Sequence, residues 1–297
     1  MRAPLRVLKE TLAFPATDNP RAIGLLLVAW LFFTTEVVAI KALGGSVPVL
    51  QILLLRFGTQ AVAMALYAAR NPAVRQTARL RMHGLRSLLS VLSMVCQYVA
   101  FGALPLALAT TISFSQALFF VGLGALVFRE RIGRARGLAA IAGFCGVLVL
   151  CRPGIDAVDP LVFVMLLGAF LGGVLMTATK LLARTESPAT IMFYVGLFNT
   201  LWLLAPAIAV WKRPEPHEIW LIAVICSAGP LSHLLMIRAL RIGDASALAP
   251  VDYVRLVFAT LAGYFLFEET PDIWTWVGAA IILSSTLFLA KIERARR

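Results

Sequence analysis

The sequence predicts an all-α integral membrane protein whose ten transmembrane helices form two inverted five-helix repeats. Three observations lead to this fold class. The chain of 297 residues is 60% hydrophobic and 14% charged. One residue pattern occurs twice, and the basic residues are concentrated in alternate loops.

The composition differs strongly from that of a soluble domain. The mean hydropathy is +0.88, so lipid is expected to be the main solvent. The net charge of +12 could indicate a nucleic-acid partner, but the basic residues lie in short clusters between apolar runs. A membrane surface explains this placement better, and no nucleic-acid partner is expected.

Apolar runs long enough to cross a bilayer recur along the chain. A span needs about 20 residues, because the hydrocarbon core is roughly 30 Å thick. We predict ten spans, at 22–42, 47–69, 85–104, 106–128, 137–151, 160–182, 188–211, 219–239, 245–267 and 273–290. The fifth is short, and its glycines fit tight helix packing as well as a span. The first run lacks a convincing cleavage site, so we expect it to remain as a span.

The basic residues give an independent test of the topology. With the N-terminus inside, inner segments carry 21 of the 27 Lys and Arg residues and outer loops carry 3, while Lys41, Arg56 and Arg255 lie inside spans. Inner loops of membrane proteins are enriched in basic residues. We therefore expect both termini in the cytoplasm and the protein in the cytoplasmic (inner) membrane.

A pattern of two phenylalanines, a glycine and a glutamate is written twice with a constant offset of 139 residues. The two copies are Phe119, Gly124, Phe128, Glu130 and Phe258, Gly263, Phe267, Glu269. They end the fourth and ninth spans, five crossings apart, so they are predicted on opposite sides of the membrane. This is the signature of an inverted repeat. We expect Glu130 and Glu269 at hydrated helix ends, where they mark the fold.

Several segments resemble a known family of membrane proteins. They are the run from Ala103 to Ala109, Ile112-Ser-Phe114, Glu130-Arg-Ile-Gly133, Gly143-Phe-Cys-Gly146, Arg152-Pro-Gly154, Ala245 to Pro250, Tyr253, Gly263 to Glu269, Gly278 and Arg56-Phe57. These residues are similar to the ten-helix members of the drug/metabolite transporter superfamily, which carry two EamA domains. The resemblance covers nearly the whole chain.

The resemblance implies alternating access around a cavity lined by the first, third, fourth, sixth, eighth and ninth spans. The implied organisation is a cytoplasmic tail over 1–21, repeats over 22–154 and 155–290, and a second tail over 291–297. Ala117 departs from the family, which usually has a proline in the fourth span, so we expect a softer kink there.

Six ionisable residues within or near the spans call for explanation, because charges inside a bilayer are costly. They are Glu36, Lys41, Arg56, Lys180, Asp252 and Arg255. Lys41 and Lys180 lie near span ends, so we expect them to extend to the interface. Asp252 and Arg255 share a helix face and either form a structural ion pair or couple solute or proton binding to helix movement.

Glu36 is the leading candidate for proton coupling, because burial of a carboxyl group favours its protonated form. The alternative is a salt bridge from Glu36 to Arg56 or Lys41. Arg56 is expected to be a structural counter-ion, with direct binding of a substrate anion as the alternative. His233 is a candidate proton-binding group or a hydrogen-bonded packing residue.

Neutral polar residues also suggest a cavity. Ser90, Ser93 and Gln97 form a stripe on the third span, and Thr111 and Ser115 share a face of the fourth. Such stripes line wet cavities or form interhelical hydrogen bonds. Further candidates for contact with a solute are Gln97, Tyr98, Gln116 and Tyr253, with Trp30 and Phe114 as apolar walls.

No cofactor or metal site is expected. The chain has no phosphate-binding GxxxxGK[ST] loop and no HExxH or GxSxG motif. The four cysteines lack metal-ligand spacing and are interpreted as reduced packing residues.

These features favour a secondary carrier of a small metabolite, amino-acid-like or a related organic solute, over a membrane-embedded enzyme or a receptor or scaffold. An enzyme would need a catalytic constellation that is not found, and a receptor would not need buried charges on several helices. Export is the first expectation, with protons as a candidate coupling ion. The alternative is uptake of a larger metabolite such as S-adenosylmethionine or riboflavin. The oligomeric state is left open.

Overall fold

The computed structural model describes residues 18–128, 159–182, 185–242 and 251–294, with a few isolated positions between them. Most of the predicted fifth span, and with it Glu130, lies outside the described residues. The described part is helical and contains no strand. Its ten helices are α1 (Asn19–Leu43), α2 (Val49–Arg70), α3 (Leu80–Ala103), α4 (Leu106–Ser113), α5 (Ser115–Phe128), α6 (Pro160–Leu182), α7 (Pro188–Ala209), α8 (Pro216–Ile242), α9 (Val254–Phe267) and α10 (Ile273–Arg294).

Six of these helices, α1, α2, α3, α6, α7 and α8, are long and apolar enough to cross a membrane. At 1.5 Å per residue, a helix of 22 residues is about 33 Å long, which matches the hydrocarbon core. Large apolar side chains cover the outside of the bundle, including Leu66, Trp220 and Phe265. An apolar surface of this kind is suited to lipid.

The predicted fourth span is two helices, α4 and α5, interrupted at Phe114. Here Phe114 N donates to the Thr111 carbonyl at 3.2 Å, Ala117 N donates to the Phe114 carbonyl at 3.1 Å, and Ser113 Oγ donates to the Thr110 carbonyl at 2.6 Å. These hydrogen bonds join residues three positions apart, as in a 3-10 turn, and tighten the backbone. Phe114 itself keeps a right-handed helical backbone, with φ −63° and ψ −22°. The softer kink expected from Ala117 therefore stays a prediction.

Contacts at the two ends of the bundle establish the direction of each helix. At the end where α1 begins, Asp18 N donates to the Ile242 carbonyl at 2.9 Å, and Tyr194 Oη donates to the Arg75 carbonyl at 2.7 Å. We call this the N-terminal end. At the opposite end, Gln51 Nε2 donates to the Lys212 carbonyl at 2.9 Å. Consecutive long helices therefore run in opposite directions.

The two copies of the repeated pattern end at opposite ends of the bundle. α6 runs antiparallel to α3, as shown by the hydrogen bonds from Arg86 to Thr179 and from Ser93 to Gly168. α5 lies parallel to α6 and reaches the N-terminal end. α9 ends at the opposite end, where Glu269 accepts a hydrogen bond from Leu106 N at 2.8 Å. The inverted repeat is confirmed by these directions.

The inversion extends to single hydrogen bonds. Ser93 Oγ of α3 donates to the Gly168 carbonyl of α6 at 2.8 Å, and Ser232 Oγ of α8 donates to the Ala29 carbonyl of α1 at 2.9 Å. Both 232 minus 93 and 168 minus 29 equal the repeat offset of 139. The two repeats therefore pack against each other through equivalent contacts.

Candidate functional site

A carboxylate and a guanidinium face each other inside the bundle. Glu36 on α1 and Arg56 on α2 are 3% and 1% exposed, and Arg56 Nε donates to Glu36 Oε1 at 2.6 Å. A buried ion pair is retained only when its members neutralise each other and gain further hydrogen bonds. The salt-bridge alternative for Glu36 is thus observed with Arg56, and the partner of Lys41 is a different carboxylate.

Two more helices complete this polar cluster. Tyr98 Oη of α3 donates to Glu36 Oε1 at 2.5 Å. His233 Nδ1 of α8 lies 3.4 Å from Arg56 Nη2 and 3.2 Å from the Gly229 carbonyl oxygen, so it accepts from Arg56 or donates to Gly229 according to its tautomer. Glu36, Arg56 and Tyr98 are buried, whereas His233 is more exposed. We call these four residues the buried ionic cluster, after its three buried members.

Glycine at position 229 makes the cluster possible. A Cβ atom added there would lie 2.7 Å from Arg56 Nε and would also collide with Glu36 Oε1. Gly229 therefore lets the backbone of α8 approach the ion pair, which a larger side chain would push apart. Pro230 follows it inside α8.

Lys41 behaves differently from the expectation that it extends to the interface. Its Nζ donates to the Leu104 carbonyl at 2.7 Å and forms an ion pair with Glu269. Both side chains are partly buried, with exposures of 12% and 15%. Glu269 is therefore not a hydrated marker of the fold, because it joins α1, α4 and α9. Lys180 is exposed at the last turn of α6, 5.9 Å from the Phe120 ring centre.

An aromatic cluster surrounds Arg255 of α9. The guanidinium carbon lies 4.0 Å from the ring centre of Phe114, 5.3 Å from Trp30 and 5.9 Å from Phe33. Tyr253 packs against Phe114 with ring centres 5.4 Å apart. We call Trp30, Phe33, Phe114 and Tyr253 the aromatic chamber. Trp30 and Phe114 thus both contact Arg255, and their expected role as walls of a solute cavity stays a prediction.

The polar stripes form interhelical bonds as well as intrahelical ones. Ser93 bonds to α6, Gln97 Nε2 donates to Ser93 Oγ at 3.0 Å, and Asn199 Nδ2 of α7 donates to Ser90 Oγ at 3.1 Å. Thr111 Oγ1 bonds to the Ala107 carbonyl within α4. The interhelical interpretation is therefore observed for the third span.

Gln116 and Asp252 are two further residues predicted to contact a solute. Gln116 of α5 packs against Gly172 of α6, because a Cβ atom added to Gly172 would lie 2.7 Å from the side-chain amide carbon of Gln116. The side chain of Asp252 is outside the described part of the structure, so its expected pairing with Arg255 stays a prediction. Within the described residues there is no group of three His, Cys, Asp or Glu side chains placed to hold a metal ion.

Sequence reasoning missed three residues of this region. Phe33 faces Arg255, Met94 Sδ lies 3.7 Å from Arg56 Nη1, and Gly229 contacts the ion pair. Phe33 lies between Trp30 and Glu36 and could have been found from that spacing. Met94 and Gly229 approach Arg56 from helices distant in sequence, and no local pattern indicates this.

Comparison with known proteins identifies the family. The sequence model of the EamA-like transporter family matches residues 20–152 and again 160–291. The chain belongs to this family. Two matches in one chain agree with two repeats, and the protein is a multi-pass membrane transporter built from an inverted pair of EamA units.

Named relatives of this EamA protein carry metabolites. An S-adenosylmethionine uptake transporter of Rickettsia prowazekii is 29% identical over 257 residues, covering 86% of this chain and 87% of the relative. A riboflavin transporter of Vibrio cholerae is 28% identical over 240 residues, covering 78% and 80%. A solved crystal structure shares the fold with a TM-score of 0.61 and 20% identity, covering 93% of this chain and 98% of the other.

Proposed function

We propose that this EamA protein is a secondary transporter that takes up a small organic metabolite by alternating access, with the solute bound between the two repeats. The observation that carries the proposal is a pair of equivalent positions at which a regular α-helix begins after a tighter turn. α5 begins after the turn at Phe114, and α9 begins after the 3-10 turn Val251–Tyr253. Positions 114 and 253 differ by the repeat offset of 139, and their rings are in contact. Interrupted helices at a repeat interface are typical of transporter binding sites.

The proposed direction is uptake. Export was the first expectation from the sequence, with uptake of S-adenosylmethionine or riboflavin as the alternative. The relatives support the alternative, because the Rickettsia protein is named an uptake transporter. At 29% identity the solute itself can change while the architecture is kept, so we propose a metabolite of comparable size.

The buried ionic cluster is proposed to couple uptake to protons. Glu36 faces Arg56 of α2, Tyr98 of α3 and, through Arg56, His233 of α8. A proton on Glu36 would cancel its charge and weaken its attraction for Arg56. Because these residues lie on four helices, losing that attraction would favour rearrangement of the bundle.

Flux measurements test the proposed function directly. The purified protein is placed in proteoliposomes, and uptake and counterflow of radiolabelled S-adenosylmethionine, riboflavin and a wider metabolite panel are measured against empty liposomes. We expect saturable counterflow of at least one solute. Absence of flux across the panel would contradict the proposal.

The coupling role is tested with Glu36→Gln and the exposed control Glu215→Gln. An imposed acid-outside pH gradient should accelerate uptake by the wild type and by the control. Glu36→Gln should lose this acceleration and keep counterflow, which needs no proton gradient. Unchanged pH dependence in Glu36→Gln would exclude Glu36 as the coupling site.

The proposed orientation places the N-terminal end in the cytoplasm, in the inner membrane. A cysteine at the exposed position 75 should react with an impermeant reagent only from inside, and one at the exposed position 268 only from outside. The native cysteines are replaced in both variants. Labelling of both positions from one side would contradict this topology.

A further inference from the structure

The aromatic chamber already holds one flat group against its rings. Its aromatic faces surround the planar guanidinium of Arg255, with the Phe114 ring centre only 4.0 Å from the guanidinium carbon. Aromatic faces stack with planar π systems as readily as with guanidinium groups. The chamber is therefore suited to receive a second flat group beside, or in place of, the Arg255 head group.

Trp30 provides an independent indication of a ligand. The residue is 6% exposed, and its indole Nε1 has no hydrogen-bond partner among the described residues. Buried indole N–H groups nearly always have an acceptor, because an unpaired buried donor is costly. A bound solute with an acceptor atom on its ring would supply the missing partner.

The distance from the aromatic chamber to the buried ionic cluster limits the length of a substituent that could join the two sites. Trp30 and Phe33 precede Glu36 on α1 by six and three residues, which corresponds to about 9 and 4.5 Å along the helix axis. A solute with its ring in the chamber would bring a substituent of that length to the ionic cluster. Glu36, Arg56, Tyr98 and His233 offer both charge and hydrogen bonds to a polar or charged group.

We propose that the solute is a planar heteroaromatic metabolite with a polar or charged substituent, whose ring stacks in the aromatic chamber and accepts a hydrogen bond from Trp30. This inference rests on the proposed function, since it specifies the solute of the same transport site. It assigns Trp30, Phe33 and Phe114 as specificity residues for the ring.

Binding to the purified protein tests this separately from flux. The probes are riboflavin, S-adenosylmethionine and adenosine, with the ring-free compounds ribitol and methionine as controls, and affinity is read from thermal shift or intrinsic fluorescence. We expect ring-bearing probes to bind and ring-free ones not to bind. Trp30→Phe, which keeps a ring and removes the N–H, should weaken binding of the best probe by about tenfold.

A matched pair of phenylalanines provides the remaining control. Phe114→Leu should weaken the best probe more strongly than Trp30→Phe does, whereas Phe265→Leu, on an exposed aromatic residue of α9, should leave affinity unchanged. Equal binding of ring-free compounds, no binding of any ring-bearing probe, or unchanged affinity in Phe114→Leu would overturn the ring-binding inference. Counterflow of a ring-free solute in the same preparation would leave the proposed function intact.

A second ion pair lies at the end of the bundle opposite the N-terminal end. The Glu269 carboxylate pairs with Lys41 and accepts from Leu106 N, and Lys41 donates to the Leu104 carbonyl. The Lys41 ammonium also lies 5.5 Å from the Phe267 ring centre. We call Lys41, Phe267 and Glu269 the latch. Its contacts connect both repeats at one end.

The repeated pattern explains the geometry of the latch. Gly263 leaves room for the Glu269 carboxylate, because a Cβ atom there would lie 2.6 Å from Oε2. Glu269 N donates to the Gly263 carbonyl at 3.0 Å, and Glu268 ends α9 in the left-handed conformation at φ 56°. The chain therefore folds back so that Glu269 reaches Lys41.

Two equivalent helix pairs, one from each repeat, differ in how closely they pack. α1 packs against α3, whereas the equivalent pair, α6 and α8, has no comparable contact within the described residues. In a molecule with equivalent repeats, such a difference describes one conformation of a two-state bundle. The sequence places the same residue types at 124, 128, 130 and 180, and Glu130 lies outside the described residues.

We infer that the latch closes the end opposite the N-terminal end and must open once in each transport cycle. A disulfide needs Cα atoms closer than about 7 Å, so the variant Lys41→Cys/Glu269→Cys, with the native cysteines replaced, is cross-linked with a cleavable bifunctional thiol reagent as long as a Lys–Glu contact. Cross-linking should abolish uptake, and reductive cleavage should restore it. Lys41→Cys alone should be insensitive to the reagent. Full uptake by the cross-linked protein would overturn the inference.

Neutral substitutions provide a second test that needs no cross-link. An impermeant thiol reagent is added at the end of the bundle opposite the N-terminal end, and its reaction with Cys226, near the ionic cluster, is measured. This labelling should rise several-fold in Lys41→Gln and in Glu269→Gln. The neighbouring control Glu268→Gln should not change it. Thermal melts of all three variants establish that they are folded, and equal labelling in folded variants would contradict a closing role.

Discussion

The two repeats share a scaffold but not their polar chemistry. In the first repeat, Glu36, Arg56 and Tyr98 meet in the bundle interior. The residues 139 positions later are Leu175, Val195 and Ile237. The structural hydrogen bonds, by contrast, occur in both repeats, as Ser93 to Gly168 and Ser232 to Ala29. The duplication preserved helix packing, and among the described residues the second repeat has no equivalent of the ionic cluster.

This difference separates the packing that both repeats share from the charged residues that the first repeat contributes. Equivalent packing allows two similar bundle arrangements, because each repeat can adopt the position of the other. In the proposed mechanism, the ionic cluster responds to one chemical event, such as the arrival of a proton or a bound solute. Substitutions at four places in the bundle distinguish the shared packing from the chemistry of the first repeat.

The largest expected effect is on Arg56. Arg56→Met leaves Glu36 as an uncompensated buried charge, so the free energy of unfolding in detergent should fall by about 3 to 5 kcal/mol. The equivalent change Val195→Met should cost less than about 1.5 kcal/mol. The double variant Glu36→Met/Arg56→Met should recover most of the stability without restoring uptake. Equal losses of stability in Arg56→Met and Val195→Met would contradict the expected difference between the two repeats.

Gly229→Ala should have the next largest effect. The added Cβ collides with Glu36 and lies 2.7 Å from Arg56 Nε, and overpacking of this kind costs about 1 to 3 kcal/mol. The control Gly24→Ala lies on α1, where a Cβ meets nothing within 4 Å. Chemical denaturation of both variants in the same detergent measures the difference. A neutral Gly229→Ala would indicate that α8 can move away from the ion pair.

Tyr98→Phe removes a hydrogen bond to a charged group and keeps the ring. We expect a loss of about 1.5 kcal/mol in stability, together with a shift in the pH dependence of uptake, because Glu36 loses one of its donors. A purely structural tyrosine would lower the melting temperature and leave the pH profile in place. Ile237→Val, at the equivalent position, should leave the pH profile unchanged.

The smallest effects should be equal in the two repeats. Ser93→Ala and Ser232→Ala each remove one interhelical hydrogen bond, which contributes about 0.6 kcal/mol in membrane proteins. Thermal melts should show similar small decreases for both. A large decrease at one position only would mean that the two equivalent hydrogen bonds contribute unequally to stability.

Much of the fold follows from the sequence. The apolar runs correspond to α1, α2, α3, α6, α7 and α8, and the offset of 139 residues predicts the inversion. Hydropathy and loop charge determine these features because insertion depends on residue type along one segment. For the fourth span the sequence predicted only a softer kink near Ala117. The interruption lies at Phe114, where backbone and hydroxyl hydrogen bonds span three residues.

The sequence by itself determined the membrane class, the inverted repeats and the burial of Glu36 and Arg56, although it placed Glu269 in water. Only the tertiary structure decided how these charges pair, with Glu36 joined to Arg56 and Lys41 joined to Glu269. Hydropathy limits the depth of a residue in the bilayer, but pairing depends on the rotation of each helix and on its neighbours. Lys41 and Glu269 are 228 positions apart, so only the packing of α1 against α9 brings them together.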